Sequence, residues 1–171
     1  FSPEYVNNYE IGYRGVSNKG MVSLLAFFTR RIDQQVSLSS QQDPMDPNSF
    51  TYYIGNASKG HVYGMELEFR RVVNSKMHLS GTLGLLDSKT EKYSFEVAPE
   101  QFVSLGDRAF AHAPQYSFRL GIDYDLTQNI ALRASVSGKD QFYFSESHDQ
   151  VSTTYNLLNT GITYSFSKSL D

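Results

Sequence analysis

Apolar and polar side chains alternate along most of this chain, and no other feature constrains its fold as strongly. Between His61 and Val73 the two alternating sets are Tyr63, Met65, Leu67 and Phe69 on one side and Gly64, Glu66, Glu68 and Arg70 on the other. Successive side chains of a strand point to opposite faces, so the pattern predicts a strand with one apolar and one polar face. A helix would instead repeat its apolar positions every three or four residues.

The same alternation recurs around residues 9–13, 77–85, 116–124, 130–136 and 158–166. The stretch from Met21 to Leu38 is ambiguous, because large apolar residues such as Phe27 and Phe28 occupy both sets of positions. Tyr, Phe, Val and Thr, which favour strands, are abundant throughout. The sequence therefore predicts an all-β chain of about seven long strands.

Short turns and long connections are expected to join these strands alternately. The short turns fall at 17–20, 74–76 and 127–129, and the long polar connections at roughly 39–56, 88–113 and 140–153. All five prolines lie outside the cores of the predicted strands, as a hydrogen-bonded ladder requires. In an antiparallel up-and-down meander, this order places every short turn at one rim and every long connection at the other.

Two kinds of protein show such alternation. A soluble sheet covers its apolar face with another layer, whereas a transmembrane barrel turns that face to lipid. Three features favour the barrel. The predicted strands are long, aromatic residues such as Tyr116 and Tyr124 lie near the ends of the apolar faces, and charges of both signs lie on the opposite faces. The alternative is a soluble β-sheet binding or adhesion module whose long loops hold a glycan or a protein.

Composition narrows the functional classes further. The 171 residues include 15 Lys and Arg against 18 Asp and Glu, a net charge of -3, which argues against a sequence-independent nucleic-acid-binding protein. The absence of Cys excludes a disulfide scaffold, a thiolate zinc site and a thiol nucleophile. No apolar run is long enough for a transmembrane helix. Neither a signal peptide nor an initiator Met is present, so we expect a piece of a longer chain.

The titratable residues show no catalytic or metal-binding pattern. The four histidines lack the spacing of metal ligands. Glu66 and Glu68 lie two positions apart on one predicted strand, and no G-x-S-x-G nucleophile motif occurs. We therefore expect no enzymatic activity, no cofactor and no metal site.

Several segments in succession resemble strands of TonB-dependent outer-membrane receptors. Residues 8–14 (NYEIGYR) are similar to the family's NYELGYK strand, and residues 25–33 (LAFFTRRID) to its ALFYTRRDD strand. Residues 56–68 resemble an N…YGVELE pattern, residues 113–124 an AP.YS…GLDY pattern and residues 155–164 a Y.LLN..I.Y pattern. Each motif is weak alone, but their order matches the family over nearly the whole chain.

This resemblance implies both a fold and a function. The family's barrels have about 22 strands, so residues 1–171 would be part of one β-barrel domain, without the plug, the earlier strands and the last strands. The parent receptor would bind a scarce nutrient, such as an iron–siderophore complex, and import it across the Gram-negative outer membrane with energy from the TonB system. TonB would act only through the absent plug, lipid would cover the apolar face, and the open sheet edges would allow self-association.

The resemblance also assigns roles to individual side chains. The candidates for ligand contact near the long-loop rim are Phe50, Tyr52, Tyr53, Phe102, Phe110, His112, Phe142, Tyr143, Phe144 and His148. An interfacial girdle or a strand extension is the structural alternative for these aromatic residues. The charged residues expected to line the lumen and hold the plug are Glu10, Arg14, Glu66, Glu68, Arg70, Arg119, Asp123 and Arg133.

Overall fold

The computed structural model describes residues 2–42, 45–46, 48, 50–98, 100–145 and 149–166, which form nine β-strands and no helix. The strands are β1 (Tyr5–Ser17), β2 (Gly20–Gln42), β3 (Phe50–Asn74), β4 (Met77–Thr90), β5 (Tyr93–Ala98), β6 (Gln101–Leu105), β7 (Tyr116–Asp125), β8 (Ile130–Lys139) and β9 (Tyr155–Tyr164). The all-β fold that the alternation predicts is therefore confirmed.

Seven of these strands form one antiparallel sheet, in the order β1-β2-β3-β4-β7-β8-β9. Each strand pairs with its neighbours along the chain, apart from the hairpin β5–β6, which is a separate two-stranded sheet within the connection from β4 to β7. Short turns at residues 18–19, 75–76 and 126–129 lie at one rim, as expected. The predicted up-and-down meander is confirmed.

Two of the three predicted long connections are largely strand, so that prediction is wrong. β2 runs on to Gln42 and β3 begins at Phe50, which turns most of residues 39–56 into a paired hairpin. Residues 88–113 include β5 and β6, whereas residues 140–153 do connect two strands. Ser- and Gln-rich segments lack an apolar alternation, but antiparallel pairing needs only backbone hydrogen bonds, which any residue except proline can donate.

The register brings the alternating sets of neighbouring strands onto common faces. Tyr9 lies opposite Phe28 and Phe28 opposite Tyr63, and further across the same face Leu79 lies opposite Ile122. The face that carries these residues is called the apolar face, and the opposite one, which carries Glu66 and its row, the polar face. A slip of one residue in any strand would exchange its two faces, so the apolar pattern specifies this register.

The ambiguous strand β2 contributes large side chains to both faces. Phe28 lies on the apolar face with Tyr63, whereas Phe27 lies on the polar face opposite Gly64. The Phe27 ring fills the space that a side chain at position 64 would need. A glycine in the neighbouring strand therefore lets a phenylalanine pack flat against the polar face.

Few side chains are buried, although the chain is rich in apolar residues. Among the described residues the buried ones are Ser88, Thr90, Tyr93 and Phe110, together with a few glycines. The apolar face is open by contrast, and Ile11, Leu158 and Ile162 remain 76%, 74% and 77% exposed. Removing apolar surface from water stabilises a protein by about 25 cal/mol per Å². Contact with apolar surroundings from outside the described residues would therefore stabilise this face.

Candidate functional site: the polar face and the long-loop rim

Charged side chains of both signs share the polar face. The register places on it all eight residues that were expected to line a lumen: Glu10, Arg14, Glu66, Glu68, Arg70, Arg119, Asp123 and Arg133. Their common face follows from strand pairing, because a residue and its cross-strand partner point to the same side of a sheet. That this face lines a lumen stays a prediction.

Some of these charges are paired with one another. Arg70 lies 3.4 Å from Glu68, and Arg133 lies 3.3 Å from Asp123. These side chains are mostly exposed, so such pairs contribute at most about 1 kcal/mol each. Arg119 forms no ion pair with any residue that the structure describes. The polar face therefore keeps groups that remain free to bind a polar partner.

Towards the short-turn rim the sheet has a depression of about 570 Å³. Arg70, His78, Arg119 and Asp123 contribute polar groups to its lining. Ser80 and Thr82 add hydroxyl groups, and this mixture of cationic, anionic and hydroxyl groups suits contacts with another polar protein surface.

At the opposite rim Phe110 anchors the connection between β6 and β7. Its side chain is 8% exposed, its ring lies where a side chain at Gly60 would extend, and the Arg31 guanidinium is 4.8 Å from the ring centroid. The Phe110 backbone N–H donates a hydrogen bond of 3.2 Å to Ser88 Oγ. This burial favours the structural role that the sequence left open for Phe110.

Three other candidates meet where the connection from β6 to β7 touches the connection from β8 to β9. The His112 ring lies 5.3 Å from that of Phe142 and 6.2 Å from that of Phe144, and the two phenylalanine rings are 5.5 Å apart, edge to face. The His112 N–H donates a 2.8 Å hydrogen bond to the carbonyl oxygen of Tyr143. The two connections are thus joined through both backbone and rings.

Cations lie over the aromatic rings of this rim. Lys139 Nζ is 4.3 Å from the ring centroid of Phe142 and 5.4 Å from that of Tyr155. Arg108 lies 5.0 Å over Tyr143 and donates a 2.6 Å hydrogen bond to Asp149.

Two of the rim cations have no carboxylate partner among the described residues. Neither Lys139 nor Arg31 forms an ion pair with a described residue. A ring face attracts a cation without neutralising it, so these two groups can still attract an anion.

The remaining ligand candidates are Phe50, Tyr52, Tyr53, Phe102 and His148. Phe50, Tyr52 and Tyr53 belong to the start of β3, and their side chains lie outside what the structure describes, so their contact with a ligand stays a prediction. Phe102 is 69% exposed on the β5–β6 hairpin, and His148 lies outside the described residues.

Sequence reasoning missed the cations of the rim, Arg31, Arg108 and Lys139. Lys139 carried a weak signal, because it ends the alternation of β8 shortly before the aromatic run 142–144. Arg31 and Arg108 carried none, since their ring partners are remote in sequence and are brought near only by the folded loops.

Within the described ranges, no group of three or more His, Asp or Glu side chains is arranged to hold a metal ion. No helix among those residues is long and apolar enough to cross a membrane.

The sequence matches the model of one protein family over residues 1–171. The family is described as TonB dependent receptor-like, beta-barrel. No curated protein sequence matches the chain.

Solved receptor structures share the fold. The ferric yersiniabactin uptake receptor FyuA from Yersinia pestis matches 94% of the chain at 17% identity with a TM-score of 0.68. The siderophore receptor PiuA from Acinetobacter baumannii matches 95% at 16% identity with a TM-score of 0.72. A mutant of the ferric enterobactin receptor PfeA from Pseudomonas aeruginosa matches 96% at 16% identity with a TM-score of 0.59. The chain spans 22%, 22% and 24% of these three structures.

Proposed function

The chain belongs to the TonB-dependent receptor β-barrel family, and on that premise we propose that residues 1–171 form a wall segment of one such barrel domain in a Gram-negative outer membrane. The apolar face then contacts lipid and the polar face lines the lumen. The open apolar face supports this orientation, because Ile11 and Leu158 would otherwise expose large apolar surfaces to water. The short turns face the periplasm and the long connections face the outside, as in bacterial barrels generally.

The proposed activity is the binding and import of a scarce nutrient, such as an iron–siderophore complex, with energy from the TonB system. TonB acts through a plug domain rather than through these strands. The exposed charges of the polar face, Arg119 among them, then contact the plug. Outer-membrane lipid is the other constant partner, while the edges of β1 and β9 pair with further strands of the barrel.

The observation that carries this proposal is the cluster of rings and cations at the long-loop rim. Lys139 lies between the rings of Phe142 and Tyr155 and has no carboxylate partner among the described residues. A chelate with net negative charge would be attracted to this ammonium group, and its flat parts would stack on the neighbouring rings. Backbone hydrogen bonding between the two connections, through His112 and Tyr143, keeps these groups in place.

The proposal is tested on the complete receptor of which this chain is part, produced in outer membranes. The probe is ferric iron bound as an anionic tris-catecholate complex, and its binding is measured by filtration or fluorescence quenching. Lys139→Gln removes the charge, whereas Lys19→Gln, in an exposed short turn, is the matched control. We expect about tenfold weaker binding for Lys139→Gln, since a charged hydrogen-bond partner contributes about 1.5 kcal/mol or more, and unchanged binding for the control.

Two results would count against the proposal. Equal binding by Lys139→Gln and Lys19→Gln would remove the rim cluster from the ligand site. A receptor that reaches the outer membrane but neither binds nor imports any metal chelate, anionic or neutral, would contradict the proposed activity itself.

A further inference from the structure

Three basic side chains lie side by side on the apolar face, just beyond its aromatic end. Arg30 is the cross-strand partner of His61, and His61 is the partner of Lys89, so the three occupy one row on β2, β3 and β4. Neighbouring strands are about 4.8 Å apart, which places the row within about 10 Å from end to end. We call these three residues the basic row.

A row of aromatic residues lies directly next to the basic row on the side of the sheet's centre. Tyr9, Phe28 and Tyr63 are consecutive cross-strand partners, with ring centroids 6.3 Å and 4.9 Å apart. The His61 ring contacts the Tyr63 ring edge-on at 5.3 Å. Aromatic rows on the outer surface of a barrel mark the boundary between hydrocarbon and headgroups. The basic row therefore lies at headgroup level on the long-loop side.

Arg30 and Lys89 place two positive charges about 10 Å apart at the two ends of this row, which favours anions nearby. Asp87 lies on the same face of β4, two positions before Lys89. Two further carboxylates supply part of the compensation: Glu91 lies 2.9 Å from Arg30, and Asp107 lies 2.7 Å from Lys89. Both acids belong to the connection between β4 and β7 rather than to the sheet. All four side chains are 38% to 64% exposed, so an anion from solution or from a lipid can reach them.

Arg30 and Lys89 also have donors to spare. Arg30 uses Nη2 towards Glu91, and Lys89 offers three N–H groups, of which Asp107 accepts one. A guanidinium matches two oxygens of a phosphate at once, and an ammonium adds a point charge beside it. Among common anions near an aromatic belt, a lipid phosphate is the one that lies at this depth.

We propose that the basic row Arg30–His61–Lys89 binds the phosphate of a phosphorylated lipid headgroup in the outer leaflet. The acyl chains of that lipid then lie along the apolar face below Phe28 and Tyr63. The inference rests on the proposed orientation of the barrel in the membrane, but not on which nutrient the receptor carries. The site lies outside the barrel, remote from the face that holds the rim cluster around Lys139.

The test measures lipid retention by native mass spectrometry of the complete receptor in a neutral detergent. The probes are dipalmitoyl phosphatidate and dipalmitoyl phosphatidylcholine, which have the same acyl chains but different headgroup charges. We expect at least about fivefold preference for phosphatidate in the wild type and no preference in the Arg30→Gln/Lys89→Gln double variant. The control Lys19→Gln/Lys76→Gln removes the same number of charges from exposed turns at the other rim and should keep the preference.

A second variant covers the case in which the double variant does not fold. Glu91→Gln/Asp107→Asn removes the competing carboxylates and should increase phosphatidate retention severalfold, whereas a purely structural row would show no increase.

Four outcomes would overturn the proposal. The first two are a wild type without preference for phosphatidate and an Arg30→Gln/Lys89→Gln variant with the same preference as the wild type. The third is unchanged phosphatidate retention in Glu91→Gln/Asp107→Asn. The fourth is displacement of the lipid by an equal concentration of inorganic phosphate, which would indicate a site for free phosphate. Chelate binding is measured on the same samples and should be unchanged in Arg30→Gln/Lys89→Gln, so a failure of this inference is distinguishable from a failure of the proposed transport function.

Discussion

Replacing Leu120 with arginine tests which face of the sheet contacts lipid. Leu120 lies at the centre of β7 on the apolar face, half-exposed, between its cross-strand partners Gly81 and Val136. On the same face of β7, Tyr116 lies four positions before it and Tyr124 four positions after it. If these tyrosines mark the two membrane interfaces, Leu120 lies midway between them.

The expected penalty follows from this position. Four residues span about 13 Å along a strand at about 3.3 Å each, and a strand tilt of about 40° reduces this to about 10 Å along the membrane normal. The two tyrosines are then about 20 Å apart in depth, close to the apolar band of about 25 Å in outer-membrane barrels. Arginine at the midplane costs about 2–4 kcal/mol, which corresponds to a factor of about 30 to 900 in the folding equilibrium.

The assay is urea unfolding of the complete barrel in lipid vesicles, followed by circular dichroism and by the mobility of unboiled samples in gels. Tyr124→Arg, near the interface, should cost only about 0–1 kcal/mol because the penalty depends on depth. Asn159→Arg places the same charge on the polar face, at an exposed position of β9, and should change the free energy of unfolding by less than about 0.5 kcal/mol.

Two results would refute this reasoning. A penalty for Asn159→Arg as large as that for Leu120→Arg would mean that the polar face does not line a water-filled space. A chain that is monodisperse and β-rich in plain buffer, and that Leu120→Arg unfolds there, would instead favour the soluble β-sheet module, in which another layer covers the apolar face.

Three further predictions concern single contacts of the described residues. The hydrogen bond and charge of Lys89 hold the pKa of the Asp107 carboxyl below its ordinary value of 3.8. The contact therefore stabilises the fold above pH 3.8, and this stabilisation is lost as the pH falls through the lower pKa of Asp107 in the folded state. The carboxyl carbon shift of Asp107 should therefore titrate below pH 3.8 and return towards it in Lys89→Met. Asn56→Leu removes the side-chain hydrogen bonds to Ser2 and to the carbonyl oxygen of residue 33. It should lower the free energy of unfolding by about 1–3 kcal/mol and speed hydrogen exchange at the start of β1. Both effects should be larger than those of Asn56→Asp. Gly20 has a backbone φ of 141°, so Gly20→Ala should lower the free energy of unfolding by about 1–3 kcal/mol through backbone strain. Gly161→Ala, whose added methyl group meets nothing within 4 Å, should lower it much less when both variants are compared by urea unfolding.

The alternation along the sequence was sufficient to predict most strands and the faces of their side chains. The set Tyr63, Met65, Leu67 and Phe69 lies on one face in the structure, as does the corresponding set of β7. Strand geometry makes this a local property, because every second side chain points the same way whatever the partner strand is. Short turns were equally predictable, since residues such as Asn and Gly at 17–20 favour tight turns on their own.

Strand β2 and the long hairpin show where local pattern fails. Phe27 and Phe28 are both large and apolar, and only pairing with β3 decides that Phe27 packs over Gly64 on the polar face. The hairpin beyond Arg31 consists mostly of polar residues, and its strands exist because two backbones pair with each other. Such pairing depends on residues distant in the sequence, so no window along one strand reveals it.

The chain by itself determined the fold class, the two faces of each regular strand and the set of charges on the polar face, because these depend on the period of two. Only the tertiary structure decided which side chains come together near the long-loop rim. Phe110 is buried beneath Arg31, Lys139 lies between Phe142 and Tyr155, and Arg30 stands in a row with His61 and Lys89. The first and the last of these arrangements join segments far apart along the chain, and all three depend on register and loop closure rather than on the identity of any single residue.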